Sequence, residues 1–214
     1  MKRIAKVLYF AFAMLISINV SANHILGGNI SVECLGGDQY GVTLTIYKDC
    51  FGATPAAATE TVFLIPSGCV GALPQSVSAT LQSEVEISDL CPTEAVNSSC
   101  VGGIIPGAQA LVYYSEVTLD PLCNWNISYG SGDWNYFQNL DFSGLPNAYI
   151  QTDLDLTQGC NSTISVDGSV PYSCIGDPVS YSLDVTNSDG LDLSYSLVCP
   201  QTTSGVDAPM FGAC

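Results

Sequence analysis

Val42-Thr43-Leu44-Thr45-Ile46-Tyr47 decides the fold class: aliphatic side chains on even positions alternate with hydroxyl-bearing ones on odd positions. Successive side chains of a strand point to opposite faces, so such a stretch has one dry face and one wet face. The same period of two returns along the chain. Val77, Ala79, Leu81, Val85 and Ile87 hold odd positions, with Ser76, Ser78, Thr80, Gln82, Glu84 and Glu86 between them. Leu111, Tyr113, Val117 and Leu119 keep one phase, as do Trp125, Ile127 and Tyr129. Val179, Tyr181, Leu183 and Val185 repeat it, followed by Leu191, Leu193, Tyr195 and Leu197. Helix evidence is confined to Ala56, Ala57 and Ala58 in the Pro55-to-Thr61 neighbourhood, enough for a turn or two and without an apolar stripe. One-sided strands suit antiparallel sheets packed face to face. Turn residues punctuate them at Gly36-Gly37-Asp38, Gly71-Ala72-Leu73-Pro74, Gly102-Gly103 and Asp189-Gly190. The expected fold is all-β, an antiparallel β-sandwich of the immunoglobulin-like kind.

Working outward, the amino terminus has the three parts of a secretory signal. Met1 to Lys6 is basic, Val7 to Val20 is apolar apart from Ser17 and Asn19, and Val20-Ser21-Ala22 offers small residues to a signal peptidase. An apolar run of about 14 residues is shorter than the roughly 20 that span a bilayer, so cleavage after Ala22 is expected. Residues 1–22 are thus read as a signal peptide and Asn23 as the mature terminus. Lys2, Arg3 and Lys6 leave with it, and the formal net charge of −16 becomes −19, with 20 acids against the single cation Lys48. Such a polyanion repels nucleic acid and anionic membrane surfaces. Cations, cationic surfaces or neutral glycans remain as partners, and solubility alone would also account for dispersed acids.

All ten cysteines lie beyond the signal: Cys34, Cys50, Cys69, Cys91, Cys100, Cys123, Cys160, Cys174, Cys199 and Cys214. An even count in an exported chain reads as a disulfide framework. Zinc sites usually show closely spaced cysteine or histidine pairs, whereas here the closest cysteines are Cys91 and Cys100 and the only histidine is His24. Spacing alone does not choose the pairs; local ones such as Cys91–Cys100 and Cys160–Cys174 are the simplest guesses. Asn161 to Pro171 loosens the strand pattern, which places a first sandwich module at 23–165 and a second unit at 166–214. That second unit offers too few strands for a sandwich of about seven. It reads as the start of a repeat, the chain being a fragment, or as a tail packed on the first module.

Two stretches resemble a known family. Asn23-His24-Ile25-Leu26-Gly27-Gly28-Asn29-Ile30 with Cys34, and Gln39-Tyr40-Gly41-Val42-Thr43-Leu44-Thr45-Ile46-Tyr47-Lys48-Asp49-Cys50, are similar to the amino-terminal module of large Bacteroidota surface proteins. Val117-Thr118-Leu119 and Trp125-Asn126-Ile127-Ser128-Tyr129 resemble its later strands. Gly176-Asp177-Pro178-Val179-Ser180-Tyr181 and Ser188 to Leu197 resemble the start of an immunoglobulin-like or cadherin-like repeat. Where family members carry adjacent cysteines after the Ile-Ser-Tyr strand, this chain has Gly130-Ser131-Gly132-Asp133-Trp134. The resemblance implies a cell-surface protein associated with gliding motility and, for a longer chain with a sorting domain, type IX secretion.

Few residues present themselves as a site. The Asp189-Gly190-Leu191-Asp192 turn resembles calcium-binding turns of cadherin-like repeats, with Asp184, Asp189 and Asp192 as candidate ligands and a solvated turn as the alternative. Calcium is the one cofactor with any candidate residues. His24, next to the mature terminus, supplies two nitrogens to copper at most. Trp125, Trp134, Tyr136 and Phe137 offer stacking faces to a sugar, but Trp125 keeps the phase of Ile127 and belongs in the core. The sequons at Asn29, Asn97, Asn126 and Asn161 are weak signals. No Gly-x-Ser-x-Gly elbow and no base beyond His24 is available for catalysis, and nothing singles out a carboxylate pair. The expectation is a non-catalytic surface or adhesin module, secreted or held outside the outer membrane, with an unknown glycan or protein ligand. The alternative is a small secreted carbohydrate-binding or carbohydrate-active sandwich.

Overall fold

The computed structural model describes residues 25–51, 55–131, 147–168, 174–176, 178, 184–186, 189–190 and 192–207. The signal segment and Asn23, His24, Trp134, Tyr136, Phe137, Cys214 and the expected strand over 179–183 lie outside them.

Seven strands make the body: β1 (Ile25–Gly36), β2 (Gln39–Asp49), β3 (Thr59–Ser67), β4 (Gln75–Glu86), β5 (Ala108–Thr118), β6 (Asn124–Ser131) and β7 (Ala148–Asp155). All neighbouring pairs are antiparallel, in the order β1-β2-β5-β4-β3-β6-β7. This is the immunoglobulin constant-type arrangement, in which the first, second, fifth and fourth strands form one layer and the third, sixth and seventh the other. The layers stay joined because β4 changes partner along its length. Gln75–Thr80 pairs with β3, and Thr80–Glu86 pairs with β5. Strands that pass from one sheet to the other make the corners of such sandwiches.

The inward phase matches the alternation. Tyr40, Val42, Leu44 and Ile46 of β2, Leu111, Tyr113 and Val117 of β5, and Trp125, Ile127 and Tyr129 of β6 are all buried. Trp125 is core, and its Nε1 donates to Asp120 O at 3.1 Å, fastening the start of β6 to the turn before it. β1 and β7, the ends of the strand order, come against each other because Gly28 has no side chain. A Cβ there would meet the Thr45 carbonyl oxygen of β2 and, at 2.6 Å, Ile150 Cδ1 of β7. The β1–β2 turn uses positive φ at Gly36 (106°) and Gly37 (61°), a region that glycine enters without strain.

Several expectations need correcting. The odd-position phase of β4 does not run to Ile87. A bulge between Leu81 and Ser83 inserts one residue, so Glu84 stands opposite inward Leu111 and Val85 turns outward, 55% exposed. The alanine-rich stretch forms no helix among its described residues: 55–57 are irregular and β3 begins at Thr59. Among the described residues the helical turns are two 3-10 turns, Ala95–Asn97 and Ser99–Val101. Residues 192–200 form no strand, and Tyr195 and Leu197 are exposed. Alternation without an adjacent strand edge yields no ladder, and among the described residues this region pairs in two short two-stranded sheets. They are β8 (Ser165–Asp167) with β9 (Asp184–Thr186), and β10 (Gln201–Thr203) with β11 (Val206–Asp207).

Disulfides join Cys34–Cys160, Cys50–Cys100, Cys69–Cys123 and Cys91–Cys174, and Cys199 is oxidised as well. The local guesses Cys91–Cys100 and Cys160–Cys174 are therefore wrong. Folding brings strand ends together that are 50 to 126 residues apart in sequence, and these ends are what the bridges join. Cys34–Cys160 also lays residues 160–168 along β1. Thr163 exchanges hydrogen bonds with Val32 through its N–H and Oγ1, and Asn29 Nδ2 donates to Val166 O at 3.0 Å. The free edge of β1 is covered by this segment, which removes a template for unwanted pairing.

Candidate functional site

The two ends of the sandwich finish differently. At one end the inward residues are apolar to the last: Tyr40, Val117, Leu119, Trp125, Leu154 and Leu156 close it. At the other, where β2 and β6 end and β3 and β5 begin, the inward phase runs into polar groups. Position 48 follows Val42, Leu44 and Ile46 on the same face, so Lys48, the one Lys or Arg after residue 6, points inward and is only 4% exposed. Glu60 shares the phase of buried Val62 and Leu64. Tyr113 and Tyr129 reach the same place from β5 and β6. Together they line a recess of about 260 Å³, walled on its apolar side by residues such as Ile25, Ile46, Ala56 and Leu111. Pro55–Ala57 of the β2–β3 connection forms part of the rim.

The polar groups are not equally satisfied. Tyr129 hydrogen-bonds through its hydroxyl to Glu60 and Ser131. Tyr113 is fully buried, and among the described residues its hydroxyl has no hydrogen-bond partner. A buried hydroxyl left unpaired costs about 1–3 kcal/mol, so retaining one inside a core needs a reason. Burial pushes Tyr113 up to about 12, helped by the nearby Glu60 and Glu84. Burial, then Glu60, also raises Tyr129 well above its ordinary value. Both phenols are therefore protonated donors at neutral pH. Burial lowers the Lys48 amine, and Glu84, turned to this face by the bulge, partly offsets the effect. The recess thus holds donors, an acceptor carboxylate and an aliphatic wall, the mixture that orients a small polar ligand.

A second hollow, about 470 Å³, lies on the outer face of β3, β6 and β7 between Phe63, Ile65, Tyr149 and Thr202–Ser204. Among its described lining residues there is no charged side chain and no buried unpaired polar atom, so the recess is the better candidate site.

Of the residues singled out from sequence, Trp125 is in the core and away from the recess lining. Asp189 Oδ2 accepts from Ser162 N at 2.8 Å, fastening its turn to the segment along β1. Asp184 lies in β9. Among the described residues no group of three acids, histidines or cysteines is placed to hold a metal ion. Residues 187, 188 and 191 of that turn lie outside the described set. Lys48 and Glu60 were missed as site residues, although Lys48 carries a readable signal: it continues the even phase of the strand that defines the fold.

Comparison with protein-family models, with curated proteins and with solved structures returned no match. Among the described residues no helix is long and apolar enough to cross a membrane. Several disulfides fit an oxidising compartment outside the cytoplasm.

Proposed function

We propose that this chain is a non-catalytic extracellular module of a cell-surface protein, an adhesin or surface stalk, that presents a ligand recess at one end of a stapled sandwich. The observation that supports this most is the disulfide framework. Four bridges fasten strand ends and loops at both ends of the sandwich, which suits a domain that works outside the cell without chaperones or reductants. The resemblance of residues 23–50 to the first module of large Bacteroidota surface proteins points the same way, and brings gliding motility and type IX secretion into the proposal. Like the upper-loop end of an antibody domain, the recess lies at the end of the sandwich where β2 and β6 finish and β3 and β5 begin.

The test is antibody labelling of intact cells that make the protein, compared with lysed cells. Labelling of intact cells, lost after brief treatment with an external protease, is the expected result. A signal that appears only after lysis would reject a surface location.

A further inference from the structure

We infer that residues 160–168 form a thiol-releasable cover over the edge of β1, and that β1, once uncovered, pairs with β1 of a second copy of this chain. This goes beyond the surface-module reading and does not involve the recess.

The edge itself is the first observation. Of the two strands that end the sheet order, β7 carries Asp153 and Asp155, the kind of charge that discourages pairing between chains. β1 runs for 12 residues with Glu33 as its one charged side chain, and it has no lysine and no proline. Among the described residues β7 approaches β1 but makes no ladder with it. What covers β1 is the segment 160–168, and it does so largely through side chains. Thr163 Oγ1 accepts from Val32 N at 2.8 Å and Ser162 Oγ accepts from Cys34 N at 3.3 Å, while Thr163 N donates to Val32 O. Two hydroxyls thus stand where a neighbouring strand would supply carbonyls. A backbone ladder can replace them without loss of hydrogen bonds.

The fastening is the second observation. Cys34–Cys160 ties the cover to β1, and Cys160 is exposed, whereas Cys34 and the other described cysteines are buried or half-buried. Thiol exchange needs access to a sulfur, so a dithiol meets this bridge first. Its thiolate attacks Cys160 Sγ, and Cys34 leaves as a thiolate that takes up a proton. The second thiol of the reagent then closes a cyclic disulfide and frees Cys160, so the dithiol is oxidised and the bridge reduced. The cover is then held on β1 by noncovalent contacts alone.

Charge and symmetry choose the occupant. A chain with a formal net charge of −16 repels its copies, and of the two end strands β1 brings fewer acids to a contact. Two antiparallel copies of one edge pair about a two-fold axis, so each N–H that loses a hydroxyl gains a carbonyl.

The experiment compares the oxidised mature chain with a variant carrying Cys34→Ser, Cys160→Ser, Ser162→Ala and Thr163→Ala, which lacks the bridge and both hydroxyls. Light scattering at submillimolar concentration gives the mass in solution, and amide hydrogen exchange is followed along β1 and the cover. The natural chain should be a monomer with the Val32 amide protected. The variant should have twice that mass, with Val32 still protected and positions 162 and 163 open to exchange. Adding Ser31→Glu, which sets a second acid beside Glu33, should return the mass to that of a monomer and leave the Val32 amide exchanging freely. Limiting dithiol followed by alkylation should label Cys34 and Cys160 of the natural chain before any other cysteine. Should the variant not fold, as loss of the buried Trp125 fluorescence would show, the natural chain opened by limiting dithiol supplies the same mass measurement. The inference is overturned if the natural chain is already a dimer, or if the uncovered chain gives anything other than a dimer. It is equally overturned if Ser31→Glu leaves the dimer intact, or if another bridge opens first.

Discussion

The closed end and the recess end of the sandwich are built from the same strands, and the inward phase reaches both. At the closed end it finishes on Trp125, Leu119 and Leu156, each at most 2% exposed, with Cys69–Cys123 beneath the loops. At the recess end it finishes on Lys48, Glu60, Tyr113 and Tyr129. Apolar residues at every inward position would have given a more stable domain, since buried polar groups at best break even against well-packed hydrophobic ones. One end therefore serves the fold, and the other gathers the polar groups of the proposed site. The bulge in β4 sharpens the contrast, because it turns Glu84 rather than Val85 toward the Lys48 side.

Substitutions should respond to this asymmetry. Trp125→Ala at the closed end empties a large core site and breaks the bond to Asp120, and should cost about 3–5 kcal/mol. Chemical denaturation of the oxidised protein measures it directly, and a loss under about 1 kcal/mol would show that this end is not packed as described. Gly28→Ala crowds the backbone carbonyl of Thr45 on β2 as well as Ile150 on β7 and should cost about 1–3 kcal/mol. Neutral behaviour there would mean that β1 does not lie as close to β2 and β7 as described.

Tyr113→Phe should act in the opposite direction. Removing an unpaired buried hydroxyl leaves stability unchanged or raises it by up to about 1 kcal/mol at neutral pH. The pH dependence gives a second reading. The folded-state pKa of Tyr113 is raised from an ordinary 10.0 to about 12, so its proton is held by the folded chain after the unfolded chain has released it. The stabilisation linked to this group is complete below pH 10 and is lost as pH rises through 12. The natural chain should therefore lose more stability across that window than Tyr113→Phe. Equal alkaline slopes would contradict the burial of this phenol.

The body of the fold was legible because one-faced strands leave a period-two record. β2, β5 and β6 are where that record is cleanest, and Trp125 fell in the core as its phase required. β3 was hidden because Phe63 and Ile65 are apolar on the outer face too, about half exposed, which erases the alternation around Val62 and Leu64. The β4 bulge left no mark in residue type, so Val85 and Ile87 were read in a phase that Leu81 had ended. At the site, Lys48 was readable by phase, but Glu60 became visible only once β3 was known. The cysteine pairs were not legible at all, because they depend on which strand ends the topology brings together.

Disulfide mapping tests that topology most directly. Proteolysis of the oxidised chain without reductant, followed by mass spectrometry of linked peptides, should recover Cys34–Cys160, Cys50–Cys100, Cys69–Cys123 and Cys91–Cys174. Cys69–Cys123 is the critical pair, since it joins the β3–β4 loop to the start of β6 across the closed end. Finding Cys91 linked to Cys100, and Cys160 to Cys174, would contradict the strand order, the stapled ends and the recess built between them.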